Sequence, residues 1–212
     1  MSFTTSDGVM SLIEELIQNC WPQTDQISVP FRRMTYSEAI KNYGTDKPDL
    51  RSREDELAFV WITDFPLFLP KESGNGLESS HHPFTAPQSQ DKELIYSKPE
   101  SVLGQHYDLV VNGQEVGGGS IRIHDHKLQE YIIKDILKEN IDSMQYFLNA
   151  LRSGCPPHGG IALGLDRLIS IMCSTNSIRD VIAFPKSANG KDFMVGSPTP
   201  IPDSVKQLYH LK

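Results

Sequence analysis

Hydrophobic positions near the start of the chain recur at the spacing of a helix. The apolar residues between positions 9 and 17 fall on one helical stripe, and residues 4–7 supply Thr, Ser and Asp side chains that can cap its first turn. A second helical pattern covers residues 34–43 and ends at Gly44, which suits the left-handed conformation of a helix C-cap. The pattern predicts two short helices, followed by a polar, turn-forming loop over residues 44–51.

Signals of β-structure follow these helices. Residues 59–62 form an aromatic and β-branched run that is typical of a buried strand, whereas residues 70–80 are rich in Pro, Ser and Gly and predict a surface loop. Two apolar runs then flank Asn112-Gly113, the dipeptide best suited to the positive φ angles of a type I′ turn. We therefore expect a β-hairpin at this turn.

The second half of the chain mixes helical and strand patterns. Residues 128–151 have helical periodicity in two pieces, and residues 161–163 form a short apolar strand. Residues 165–173 predict a buried helix, and residues 186–202 are rich in Ser, Gly and Pro and predict a loop. Helices beside hairpin strands indicate an α+β fold, with an antiparallel sheet flanked by helices in a single domain.

Composition excludes several classes of protein. The 20 Lys and Arg against 27 Asp and Glu give no overall basic field, so any contact with nucleic acid must be local. The three cysteines are widely spaced and form no C-x-x-C pair that would indicate structural zinc. No apolar stretch is long enough to span a bilayer, and the first residues show neither a secretory nor an Arg-rich transit pattern.

The hairpin brings two acidic residues together. A two-residue turn places Val110 opposite Glu115, so Asp108 projects from the same face as Glu115. Diagonal neighbours of this kind lie roughly 7–8 Å apart, a gap that two carboxylates can close around Mg²⁺ bridging nucleotide phosphates. The alternative interpretation is that both carboxylates simply face solvent.

Three consecutive glycines, residues 117–119, continue the second hairpin strand. Glycine weakens a strand unless a bulge or a close approach of other atoms requires it. Strict alternation would point Arg122 away from Glu115, whereas one bulge residue in the glycine run would bring both to one face. We predict that bulge, with Arg122 available to clamp a carboxylate through two parallel hydrogen bonds. A surface salt bridge is the alternative.

Arginine and histidine residues supply the remaining candidates. Arg167 falls in the first turn of the helix after residue 164, where a basic side chain is locally unfavourable, so it is a candidate for binding a phosphate or a purine; a plain ion pair is the alternative. His81 and His82 lie in a loop and can contact an anionic substrate or carry protons. Neither common nucleotide-binding glycine motif occurs in the sequence.

Five stretches of the sequence together resemble the aspartyl-tRNA synthetase family. They are residues 59–66 (FVWITDFP), 81–85 (HHPFT), 107–122, 158–168 (HGGIALGLDRL) and 179–186 (RDVIAFPK). The fourth resembles motif 3 of the class II synthetases, and residues 44–51 are similar to the bacterial and mitochondrial branch. The resemblance runs in the same order through nearly the whole chain.

This resemblance implies a two-step ligase of class II fold that uses ATP and Mg²⁺. Aspartate would attack the α-phosphate of ATP to give aspartyl-adenylate and pyrophosphate. The 3′-terminal adenosine of tRNA(Asp), at its acceptor end, would then take the aspartyl group. The family members are homodimers, and the branch implies the mitochondrial matrix, although no transit peptide is recognisable in the sequence.

The resemblance also implies roles for individual residues. Glu115, assisted by Asp108, would hold Mg²⁺ and through it ATP, and Glu115 and Arg167 would be catalytic. The ATP site would be lined by Gly164, Leu165, Asp166 and Arg167. Aspartate would be bound by Arg122 through its side-chain carboxylate and by His81 and His82.

The sequence also departs from the family. Motif 1 of the dimer interface, motif 2 with its α-phosphate arginine, the anticodon-binding OB domain and the inserted domain after residue 51 have no counterpart. We therefore expect residues 1–212 to form a partial class II catalytic domain, its motif 3 half, that is inactive or nearly inactive alone. The alternatives are a noncatalytic ATP-binding or subunit-interaction fragment derived from such an enzyme and, more remotely, an asparagine synthetase or other ammonia ligase on the same sheet.

Overall fold

The computed structural model describes residues 1–22 and 27–212. The chain divides into two compact units, Met1–Gly164 and Leu165–Lys212. Strands and helices are numbered in chain order. The strands are β1 (Arg32–Thr35), β2 (Phe59–Thr63), β3 (Phe68–Pro70), β4 (Leu77–Ser79), β5 (His106–Val111), β6 (Gln114–Ile121) and β7 (Gly159–Leu163). The helices are α1 (Ser6–Cys20), α2 (Tyr36–Tyr43), α3 (His126–Tyr131), α4 (Gln145–Arg152), α5 (Leu165–Met172) and α6 (Asp203–Leu208).

A five-stranded sheet forms the centre of the first unit. Its strand order is β1-β2-β5-β6-β7. Strand β1 runs parallel to β2, and the other neighbouring strands are antiparallel. Together with the helices, this sheet confirms the expected α+β class with a mainly antiparallel sheet.

The first two helices begin and end where local sequence provides caps. The Thr5 side chain accepts a hydrogen bond from the backbone N–H of Gly8 at 3.2 Å, which satisfies one of the unpaired donors at the start of α1. Thr35 and Glu38 form a capping box on α2, and Gly44 ends that helix at φ 71°. Both helices were predicted. The second begins later than predicted, because its first two predicted residues belong to β1.

The predicted hairpin is present with the predicted pairing. Asn112 and Gly113 have φ angles of 52° and 79°, and Val110 pairs with Glu115. The register shifts at the next residue, because Leu109 pairs with Gly117 and leaves Val116 as an extra residue on β6. The predicted bulge therefore exists, but it precedes the glycine run instead of lying within it.

A buried acid fixes α1 to the sheet. The carboxylate of Glu14 is 5% exposed and accepts hydrogen bonds from Trp61 Nε1 at 2.9 Å and from the backbone N–H of Phe31 at 3.3 Å. These bonds satisfy a charge that would otherwise be costly to bury. Trp61 is fully buried and packs edge-on against Tyr107 with ring centroids 6.2 Å apart. Burial of a large side chain of this kind contributes on the order of 1.5–3 kcal/mol.

Two predictions for irregular or buried segments need correction. Residues 70–80 were predicted to be a surface loop, but this region contains β4 and the last residue of β3, which pair through backbone hydrogen bonds. The helix predicted after residue 164 is α5, of which Leu168 and Ser170 are buried, so it is not buried throughout. The loop predicted for residues 186–202 is confirmed, because none of these described residues belongs to a helix or strand, and α6 follows it.

The glycine run allows β6 to lie close to both of its neighbours. A Cβ added to Gly119 would lie 2.1 Å from the carbonyl oxygen of Gly160 and 2.8 Å from Cα of Ile161. A Cβ on Gly117 would lie 2.6 Å from a methyl carbon of Leu163. The close approach of β7 therefore requires glycine here. This agrees with the expectation that glycines within a strand mark a bulge or a close approach of other atoms.

We predict that Gly119→Ala destabilises the protein, whereas Gly160→Ala does not. The added methyl group at residue 119 would meet backbone atoms that cannot rotate away, which costs about 1–3 kcal/mol or more. Gly160 is a matched control, because no atom of the other described residues, its two chain neighbours aside, lies within 4 Å of its added Cβ. Urea unfolding of the two variants measures the difference in the free energy of unfolding, and equal losses would contradict this account of the glycine run.

Candidate active site

Two carboxylates meet beside Gly118 on one face of the sheet. Asp108 pairs with Gly118, Glu115 pairs with Val110, and alternation along β5 puts both acids on the same face. A Cβ added to Gly118 would lie 2.6 Å from Oδ1 of Asp108 and 3.5 Å from Oε1 of Glu115. The sequence predicted this pair, and the absence of a side chain at Gly118 leaves room for the Asp108 carboxylate.

Asp108 titrates close to physiological pH. Burial and the nearby charges of Glu115 and Asp46 raise the pKa of its carboxyl group to about 7, while Lys47 opposes them. Its Oδ1 atom is buried and has no hydrogen-bond partner among the described residues. A cation placed between the two carboxylates would offset their mutual repulsion and would give the buried Oδ1 atom of Asp108 a partner.

Lys47 completes the acidic end of the site. Its Nζ atom lies 3.1 Å from Oε2 of Glu115, and this hydrogen bond raises the pKa of the ammonium group. Lys47 comes from the polar loop that follows α2. The loop and its resemblance to one branch of the family are visible in the sequence, but no role was predicted for Lys47. Residues 47 and 115 lie far apart in the chain, so the sequence gives no sign of their contact.

His81 bridges the acidic residues and the aromatic floor of the site. Its Nε2 atom lies 3.8 Å from Oδ2 of Asp108, and its ring packs 5.3 Å from Phe65 and 4.2 Å from His106. Burial lowers the pKa of His81, and the charge of Glu115 opposes that shift. The structure therefore brings His81 to the acid pair as a side chain that burial disposes toward its neutral form.

His82 lies beside Arg122. The Nη1 atom of Arg122 lies 3.1 Å from Nδ1 of His82 and also contacts Nε2. Burial and the adjacent guanidinium lower the pKa of His82 to about 4, so its ring is neutral at physiological pH. A neutral imidazole can accept a hydrogen bond from Arg122 but cannot neutralise its charge.

Among the described residues, Arg122 keeps its positive charge without an acidic partner. Its guanidinium is half-buried, and in the part of the chain that the structure describes no carboxylate lies within ion-pair distance of it. Burial lowers its pKa, although Arg remains protonated in proteins. Arg122 lines two cavities of about 250 and 300 Å³. A desolvated, forked donor beside open space is suited to binding a carboxylate ligand.

His106 is a second residue that sequence analysis missed. It is 3% exposed, and neither of its ring nitrogens has a hydrogen-bond partner among the described residues. Burial, with smaller effects from nearby His and Arg charges, lowers its pKa to about 3. It lines a polar cavity of about 320 Å³ with Asp64 and Gln88. A histidine at the first position of a strand gives no sequence signal for burial.

The residues predicted to line the ATP site fall on both sides of the boundary between the units. Gly164 belongs to the first unit and donates its backbone N–H to the carbonyl of Val116 at 2.8 Å. Leu165, Asp166 and Arg167 form the start of α5 in the second unit and are exposed there. Their association with the acid pair stays a prediction.

The donor set limits how a cation could bind. Within residues 1–22 and 27–212 no group of three or more His, Cys, Asp and Glu side chains could hold a metal ion by itself. Two carboxylates on one face of the sheet nevertheless fit a cation that keeps water or phosphate oxygens as its other ligands, as Mg²⁺ does. The same described residues include no helix long and apolar enough to cross a membrane.

The chain belongs to the tRNA synthetases of class II (D, K and N), whose family model matches residues 1–188. It is 56% identical over 155 residues to the mitochondrial aspartate–tRNA ligase of Mus musculus, a match that covers 73% of this chain and 24% of that protein. It is 50% identical over 165 residues to the aspartate–tRNA(Asp/Asn) ligase of Opitutus terrae, with 76% and 28% covered. The chain thus spans about a quarter of the length of these relatives.

Solved structures confirm the fold. The aspartyl-tRNA synthetase from Entamoeba histolytica matches with a TM-score of 0.64 at 20% identity, over 91% of this chain and 43% of that chain. The asparaginyl-tRNA synthetase from the same organism, in complex with asparaginyl-adenylate, matches with a TM-score of 0.60 at 20% identity, over 86% and 45%. The antiparallel class II sheet implied by the sequence resemblance is therefore present.

We predict that Asp108 makes the stability of the metal-free protein fall with rising pH. Its pKa is 3.8 ordinarily and about 7 in the folded protein, so between these values the native state holds a proton that the unfolded state has lost. The free energy of unfolding therefore decreases as pH rises through this window, by about 1–4 kcal/mol.

Asp108→Asn removes that titration and keeps the side-chain shape. Urea unfolding in the presence of EDTA should show the variant gaining stability relative to the wild type across the window and no further above pH 7. A constant difference at all pH values would show that Asp108 is not the titrating group.

Proposed function

We propose that this chain binds aspartate and ATP as part of the catalytic domain of an aspartate–tRNA ligase. The main support for this proposal is Arg122, whose guanidinium forms no ion pair with any of the described residues. A half-buried positive charge is costly unless an anion completes it, and the side-chain carboxylate of aspartate offers two oxygens that match the guanidinium fork. The neighbouring neutral His82 leaves that charge available.

The histidines support aspartate as the substrate. His81 and His82 lie between the acid pair and Arg122, and burial lowers the pKa of both rings. Neutral rings can hydrogen-bond to the amino acid without competing with Arg122 for its carboxylate. Asparagine would present a neutral amide and leave the guanidinium without a counter-charge, so a site of this kind favours aspartate.

The acid pair supports ATP and Mg²⁺ as partners. Glu115 and Asp108 would hold Mg²⁺, which would bridge to phosphate oxygens and offset the negative charge of the triphosphate. Gly164, Leu165, Asp166 and Arg167 would line the nucleotide site. In this proposal Arg167 supplies positive charge to ATP and Glu115 anchors the nucleotide through the metal, which are their catalytic roles.

The chemistry follows from positioning and electrostatics. Arg122 and the two histidines would orient aspartate so that its α-carboxylate attacks the α-phosphorus of ATP and pyrophosphate leaves. The adenylate would then react with the terminal adenosine at the acceptor end of tRNA(Asp). Because the described residues include no group of three or more side chains that could hold a metal ion by themselves, water or nucleotide oxygens would complete the metal shell.

The location is proposed from the relatives, and the oligomeric state from the resemblance to the family. We propose the mitochondrial matrix because similar proteins include the mitochondrial aspartate–tRNA ligases of Mus musculus and Schizosaccharomyces pombe. A homodimer is proposed because the sequence resembles a family of homodimers. The chain spans 24–26% of these relatives. A second candidate is a noncatalytic ATP-binding or subunit-interaction protein derived from the synthetase.

We predict that Arg122→Leu strongly reduces the aspartate-dependent activity of the protein. Aspartate-dependent exchange of pyrophosphate into ATP should fall at least roughly thirtyfold, because the carboxylate loses a desolvated charged partner. Arg122→Lys should recover only part of it, since an ammonium cannot bond bidentately. Arg152→Leu, at an exposed position in the last turn of α4, is the control.

In calorimetric titrations the affinity for aspartate should fall in the order wild type, Arg122→Lys, Arg122→Leu. This measurement tests Arg122 even where turnover is slow. An Arg122→Leu protein that binds aspartate like the wild type would refute the assignment. A folded wild-type protein that binds ATP but shows no exchange would favour the noncatalytic candidate.

We predict that Arg167→Ala weakens ATP binding about tenfold or more, the loss expected for one hydrogen bond to a charged group. Fluorescence titration with a labelled ATP analogue measures the change, and Arg152→Ala serves as the control for removing an exposed arginine. Because phosphate contacts are screened by salt, the difference between wild type and Arg167→Ala should shrink as the salt concentration rises. Equal ATP affinities at low salt would exclude Arg167 from the nucleotide site.

A further inference from the structure

The loop that carries Lys47 is held against the turn of the β5–β6 hairpin. It leaves α2 at Gly44, and the backbone N–H of Lys47 donates to Oγ1 of Thr45 at 3.1 Å. A Cβ added to Gly113 would lie 3.4 Å from Cβ of Asp49 and 3.8 Å from the carbonyl oxygen of Lys47. The loop therefore packs close to the hairpin turn and places Lys47 beside the strands that carry the acid pair.

The ammonium group of Lys47 stands where the acid pair needs positive charge. It lies 3.1 Å from Oε2 of Glu115, and its charge also acts on Asp108. Oδ1 of Asp108 and Oε1 of Glu115 both lie beside Gly118. Without a cation, the neighbouring carboxylates of Asp108 and Glu115 repel each other when both are charged. The ammonium group of Lys47 reduces that repulsion.

The Lys47–Glu115 pair is suited to exchange. The side chain of Lys47 is 44% exposed and that of Glu115 is 30% exposed, so water competes for both groups and the pair is weak. A divalent cation carries twice the charge of an ammonium group and bonds to carboxylate oxygens directly. Such a cation can therefore displace the lysine from Glu115 at a modest cost.

We propose that Lys47 is the built-in counter-ion of the Asp108–Glu115 pair and competes with the divalent cation for Glu115. It is a positioning residue: it keeps the two carboxylates together in the metal-free protein and sets the affinity at which a cation enters. The inference rests on the metal–nucleotide site proposed above and adds a residue of the loop after α2 to its control.

Competition predicts a gain of binding when the lysine is removed. Lys47→Met should bind Mn²⁺, used as a spectroscopic substitute for Mg²⁺, about two- to fivefold more tightly than the wild type, the range expected for loss of a competing exposed ion pair. The electron paramagnetic resonance signal of unbound Mn²⁺ measures the affinity without ATP or aspartate. Lys47→Arg keeps the positive charge and should restore weak binding.

Two controls separate competition from structural damage. Lys41→Met removes an exposed lysine from the last turn of α2 and should leave the Mn²⁺ affinity unchanged. In a Glu115→Gln background, Lys47→Met should no longer increase the affinity, because the group contested by lysine and cation is gone. A merely structural role of Lys47 would lower Mn²⁺ binding or leave it unchanged, and either result overturns the proposal.

The outcome is independent of catalysis. Circular dichroism and unfolding midpoints establish that each variant is folded before Mn²⁺ is titrated. A chain that fails to exchange pyrophosphate can still show the Lys47 effect, and a chain that exchanges pyrophosphate can lack it. Failure of the Lys47 inference is therefore distinguishable from failure of the proposed ligase function.

Discussion

Glycines 117–119 allow β6 to lie closer to its neighbours than any side chain would permit, and the site depends on that approach. Gly119 admits the backbone of β7, and Gly118 leaves room for the Asp108 carboxylate beside Glu115. The bulge residue Val116 sets the face on which these groups and Arg122 converge. The close packing of the strands and the placement of the charged side chains therefore depend on the same three glycines.

Burial then separates the site into two ends of different charge. At one end Asp108, with a pKa raised to about 7, lies beside the Lys47–Glu115 pair. At the other end Arg122 retains its charge next to His82, whose pKa of about 4 keeps its ring neutral. An acidic end suits a cation and an arginine end suits a carboxylate, so the same desolvation supports both halves of the proposed function.

Local signals explain why much of the fold and several site residues were predictable. The Asn112-Gly113 turn fixed the hairpin register, which in turn placed Asp108 and Glu115 on one face. The need to bring Arg122 to that face predicted a bulge, although its position was wrong by a residue or more. Strand β1 was missed because its four residues form a strand only by pairing with β2, far along the chain.

The sequence by itself determined the helix caps, the hairpin, the acid pair and the family resemblance, because each depends on residues close in the chain or on ordered motifs. Only the tertiary structure decided that Lys47 meets Glu115, that His106 is buried beneath His81, and that Arg122 has no acidic partner among the described residues. Such facts depend on contacts between distant segments and on desolvation, and neither leaves a periodic signal in the sequence.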